Sequence, residues 1–150
     1  MRGVLAAVLI AALAGGCGGG DEDPPDRPPR ESAAEAVVRG WAADLRRGDV
    51  DAATDRFAVP ALVANAGPVE RLETRVQVRS FNASLPCGGR VVSTRREGRF
   101  LVARFRLTRR PGADCGSGTG NTAVTAFDVR GGKIVRWIRV LDPPPKLPVV

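Results

Sequence analysis

The chain has 150 residues, 23 Lys+Arg against 16 Asp+Glu, three Cys, and neither histidine nor tyrosine. That length fits one domain of ordinary size with short tails. Without His there is no His-ligated metal site, no Ser-His or Cys-His nucleophile pair and no imidazole acid or base; without Tyr there is no phenolic oxyanion donor. No metal or cofactor is expected, and any catalysis would rest on Asp, Glu, Arg, Lys, Ser, Thr or Cys.

Met1-Arg2 is a short basic start, and residues 4–14 (VLAAVLIAALA) form an apolar run of 11 residues. A bilayer span needs roughly 20, so the run reads as the core of an export signal and not as a transmembrane helix. Leu13-Ala14-Gly15-Gly16-Cys17 resembles the bacterial lipobox. That resemblance implies a lipoprotein signal peptide at 1–16, lipidation of Cys17 as the new N-terminus, and a membrane partner through that anchor. The expected location is the outer face of the bacterial cytoplasmic membrane, in the cell envelope; the rival is plain secretion with Cys17 left free. Lipidation of Cys17 leaves Cys87 and Cys115 as an even pair, which export favours as a disulfide, with two buried free thiols as the alternative. The bridge would close a loop of about 29 residues, on the order of 3–4 kcal/mol in the chain-entropy model. Neither Cys lies in a C-x-x-C, so redox catalysis is not indicated.

Residues 18–30 (GGGDEDPPDRPPR) cannot build a core and read as an extended tether of about 30–40 Å. The Pro-rich tail 143–150 mirrors it, leaving a folded domain at 31–142. No internal repeat is present. Ser32-x-x-Glu35 makes a capping box, and Ala34, Val37, Val38, Trp41, Ala42 and Leu45 place one apolar stripe on a helix over 34–45. Gly48 suits the left-handed cap and Asp49 the N-cap of a second helix, 50 to about 57, stopped before Pro60. Residues 59–73 are ambiguous, with a short extended piece at 61–64. Val78, Phe81 and Leu85 recur at helical spacing within 74–85, ended by Pro86. The period then changes to two: strands at 90–96 and 99–108 flank a Glu97-Gly98 turn, a Gly-rich loop fills 111–120, and strands at 121–130 and 133–141 flank Gly131-Gly132. Helices followed by four antiparallel strands give an α+β layout.

The helix over 34–45, the run Arg47-Gly48-Asp49-Val50-Asp51-Ala52-Ala53 opening a second helix, and the hairpin around Gly131-Gly132 together resemble the nuclear transport factor 2-like (NTF2-like), or SnoaL-like, superfamily. The resemblance implies an NTF2-like/cystatin-like cone, N-terminal helices packed on a curved antiparallel sheet that encloses a pocket. Its members include isomerases, cyclases, epoxide hydrolases, dehydratases and many non-catalytic proteins, and they often dimerise through the sheet. Enzymatic members commonly use His, Tyr or Asp inside the cone. Here only acids remain: Asp44 lies off the apolar stripe, and Asp128 shares a strand face with Thr122, Val124 and Ala126. Asp128 is the one catalytic candidate, set against the plainer reading of a solvated strand end paired with Arg. The pocket candidates are Trp41, Phe57, Phe81, Phe105, Phe127 and Trp137, which serve equally as core fillers.

Residues 31–150 hold 20 Lys+Arg and 12 Asp+Glu, a basic domain on a slightly acidic tether. Arg95, Arg96, Arg99, Arg104, Arg106, Arg109 and Arg110 concentrate in one hairpin, as a patch for anionic lipid or wall polymer or simply as solubilising charge. No nucleic-acid partner is expected, since export argues against it and no motif accompanies the charge. The sequence reads as a lipid-anchored envelope protein whose non-catalytic domain binds a small apolar ligand or a protein partner. A SnoaL-like enzyme using a buried Asp and a homodimerising structural module are the alternatives.

Overall fold

The structure, a computed structural model, describes residues 31–141. The signal-peptide, Cys17 and tether readings, and the Pro-rich tail, lie outside the described residues. Helix α1 (Ala33–Arg47) opens on Ser32, whose side chain accepts from the Glu35 amide while Glu35 accepts from the Ser32 amide, and closes on Gly48 at φ 80°. Asp49 caps α2 (Val50–Asp55) through the Ala52 amide. Thr74 and Gln77 form a second capping box at the start of α3 (Arg75–Ser84). In each case the side chain satisfies amide donors that the helix itself leaves unpaired.

The strands are β1 (Phe57–Ala64), β2 (Glu70–Leu72), β3 (Gly88–Glu97), β4 (Phe100–Thr108), β5 (Thr122–Arg130) and β6 (Lys133–Val140). They form one sheet in the order β2-β1-β6-β5-β4-β3. Three expectations are corrected. The sheet has six strands, not four, and is mixed, because β1 runs parallel to β6. Phe57 belongs to β1 and not to the second helix: its ring packs under α3 against Phe81, with centroids 6.1 Å apart. Pro60 interrupts the β1–β6 register between Phe57 and Leu62, where a residue without an N–H cannot serve the ladder. The first hairpin turn is Gly98-Arg99, one residue later than expected, because Glu97 still pairs with Phe100. Gly98 supplies the positive φ at the first turn position, while Gly131 and Gly132 both take positive φ in the second hairpin.

All three helices pack on the concave face of the sheet. Trp41 is the hub of the core, edge-on to Phe127 at 5.5 Å, Phe105 at 6.1 Å and Trp137 at 6.3 Å. Its indole N–H donates to Asn82 Oδ1 at 2.9 Å, tying α1 to α3. Asn82-Ala83-Ser84 matches the N-glycosylation sequon, but Asn82 is fully buried and offers no accessible acceptor. Among the described residues, every buried member of the core cluster lies between Val38 and Trp137, inside the compact unit that begins at Glu31. Cys87 and Cys115 are joined in a disulfide, pinning the start of β3 to the loop before β5.

Candidate functional site

Between α1 and one end of the sheet lies a cavity of about 390 Å³, within the size range of small-molecule sites. Trp41, Ala42 and Leu45 reach it from α1, Phe105 and Leu107 from β4, Ala123 and Thr125 from β5, and Trp137 and Arg139 from β6. Leu85 and the Cys87–Cys115 disulfide complete the wall. Gly89 keeps β3 close: a Cβ there would sit 3.2 Å from the Phe105 ring. The wall is apolar apart from a few groups, and Arg139 is its one charged side chain among the described residues.

Of the six aromatic candidates, Trp41, Phe105 and Trp137 line this cavity, whereas Phe57, Phe81 and Phe127 do not. Phe127 is fully buried behind Trp41 and Phe105. Phe81 stacks edge-on between Phe57 and Trp137, away from the opening. Sequence reasoning missed Leu45, Leu85, Thr125 and Arg139. The usable signal for Arg139 is its i, i+2 relation to Trp137 on a strand, which puts both on one face.

Asp128 is buried but lies outside the cavity. It pairs across the ladder with Arg136, on the face opposite Phe127 and Trp137. Its carboxylate, 3% exposed, accepts from Arg130 at 2.9 Å and 3.2 Å and sits 3.6 Å from Arg99 and 3.8 Å from Arg136. Three guanidinium groups on one carboxylate make a charge cluster on the outer face of the sheet. Asp44 is likewise taken: it bridges Arg47 at 2.5 Å and Arg56 at 2.9 Å, locking α1 to the end of α2. Neither acid faces the cavity.

The basic hairpin does not present seven arginines to one partner. Arg110 is 6% exposed and donates to the Asn82, Ala83 and Leu85 carbonyls at the end of α3, where a helix leaves its acceptors unpaired. Arg99 leans over the Phe100 ring at 5.2 Å beside Asp128, Arg95 bonds Glu97, and Arg106 donates to the Gly120 carbonyl. Arg95, Arg96, Arg99, Arg106 and Arg109 are all exposed.

No family model matches the chain, and no curated protein matches it. Solved structures do. A protein proposed to be a polyketide cyclase, from Sinorhizobium meliloti, superposes with TM-score 0.57 at 16% identity over 73% of this chain and 99% of its own. An NTF2-like protein of unknown function from Cytophaga hutchinsonii gives TM-score 0.57 at 13% identity, over 75% and 91%. A de novo designed protein with a curved β-sheet reaches 0.58 at 18% identity, over 74% and 86%. A designed scaffold matching as well as natural ones shows that the likeness concerns backbone architecture, and at these identities it carries no activity across. The helices on a curved six-stranded sheet are therefore the NTF2-like fold.

Proposed function

We propose that this chain is a lipid-anchored envelope protein whose NTF2-like domain binds a small apolar molecule without transforming it. The observation that carries the reading is the cavity wall: a largely apolar enclosure of about 390 Å³ in which Arg139 is the one charged group among the described residues. Proton-transfer chemistry would need an acid or base facing the ligand, whereas Asp128 and Asp44 are engaged elsewhere by arginines. The lipobox-like segment supplies the anchor and 18–30 the tether, so the domain would capture its ligand near the membrane surface.

Native mass spectrometry of the protein purified from its host tests the binding. The expected result is an added small-molecule mass that disappears on denaturation. Ala123→Phe, which adds a ring to the wall beside Phe105, should lose it while melting cooperatively. A wild-type protein that is always empty would count against the reading. For the anchor, Cys17→Ala should move the protein from the membrane fraction to the soluble one.

A further inference from the structure

Desolvation lowers the pKa of two arginines, the buried Arg110 and the half-buried Arg139. Arg110 is compensated by carbonyls at the end of α3, including the Leu85 oxygen at 2.7 Å and 2.9 Å. Arg139 has no such compensation: no carboxylate or carbonyl among the described residues bonds it. The two tryptophans divide the same way. Trp41 Nε1 donates to Asn82, whereas Trp137 Nε1 is buried without an acceptor among the described residues. A buried donor costs free energy until something accepts from it, and a partly desolvated cation more so.

Both uncompensated donors stand on β6, two residues apart and hence on one face, and both line the cavity. Thr125, the ladder partner of Arg139, adds a buried side chain with a hydroxyl to the same wall. Arg139 also borders a second hollow with Thr122 and Val140, which puts it at the edge of the cavity. The apolar wall of Trp41, Leu45 and Phe105 lies inward of it.

Resting on the reading of this cavity as a ligand site, we propose that its occupant is a small apolar carboxylate, its body against Trp41, Leu45 and Phe105 and its carboxylate on Arg139. The planar guanidinium offers paired N–H groups that match a carboxylate's two oxygens. The Trp137 N–H supplies a further donor to the same molecule. Nothing in this arrangement needs a base, which fits capture and not turnover.

Calorimetric titration of residues 31–150 at pH 7 with 2-naphthoate and with 2-naphthylmethanol, the same ring without the charge, tests it. The acid should bind on the order of 10- to 100-fold more tightly than the alcohol. Arg139→Met should erase that preference by weakening the acid, with a much smaller change for the alcohol, and Arg139→Lys should restore part of it. Equal binding of acid and alcohol, with Arg139→Met altering neither, would overturn the carboxylate assignment and leave the cavity as an apolar site. No binding of either compound, with Ala123→Phe indistinguishable from wild type, would overturn both. Melting curves of each variant confirm that the fold is intact.

Discussion

Glu35 serves two elements at once. Its carboxylate closes the capping box on the Ser32 amide at 2.8 Å and also accepts from the Thr94 hydroxyl on β3. The Thr94 bond first, then the Ser32 amide, hold its pKa below the ordinary carboxylate value. A carboxyl with a depressed folded-state pKa contributes stability that is present above the unfolded value, near 4.5, and is lost as pH falls through the folded one. Asp51 is shifted the same way by Arg79, on the exposed side of α2. Glu35→Gln keeps a capping residue but cannot titrate. The fall in Tm between pH 7 and pH 3 should therefore be smaller in Glu35→Gln than in wild type; an equal fall would show that Glu35 has no part in acid lability. Arg110 makes a complementary case. Arg110→Met strips donors from buried carbonyls at the end of α3 and should cost about 3 kcal/mol in urea denaturation. A cost under about 0.5 kcal/mol would mean that water replaces the guanidinium there.

Between elements, the link that matters most is Trp41 to Asn82. Asn82 donates to the Val78 carbonyl at 3.0 Å, which orients its oxygen toward the indole. Asn82→Leu leaves the Trp41 N–H buried without an acceptor, and should lower stability by about 2 kcal/mol. Indole N–H exchange measured by NMR should become faster in the same variant. The Ser32–Glu35 capping box, the apolar stripe of α1 and the Gly131-Gly132 turn were legible because each is a local pattern with a local cause; the Thr74–Gln77 box and the exact place of the first hairpin turn were not. The inward faces of the strands were not all legible, because they hinge on two bulges. In β6, Ile134 and Trp137 are both inward although three residues apart, since the register against β5 shifts around Val135. Strict alternation from Ile134 would have sent Trp137 and Arg139 outward. In β3, the shift at Val92, which is itself exposed, turns Thr94 toward α1 and Glu35. A bulge inverts everything after it, so Arg139 is legible by alternation from Trp137 but not from Ile134. The parallel pairing of β1 with β6 was hidden for a related reason: its partners are some 75 residues apart, beyond the reach of any local rule.

At the scale of the molecule, the sheet is held closed at the cavity end by the disulfide. Cys87 lies just before β3 and Cys115 in the loop between β4 and β5, so the bond spans the hairpin that forms one cavity wall. Both sulfurs border the cavity, and Gly118 lies against them: a Cβ there would sit 3.1 Å from Cys87 Sγ. Opening the bond has two effects that add. It frees a loop of about 29 residues in the unfolded chain, worth on the order of 3–4 kcal/mol, and it loosens the rim that Leu107 and Gly118 share. A Cys87→Ala, Cys115→Ala variant should therefore melt on the order of 10–20 °C below the oxidised protein. Its affinity for an apolar ligand should fall with it at temperatures where both remain folded. Thiol titration of the untreated, unfolded segment 31–150 gives the prior check: no free thiols are expected before reduction and two after. Two free thiols in protein isolated from the envelope would remove the staple. A stabilised rim with unchanged ligand affinity would separate the staple's role in folding from any role in shaping the site.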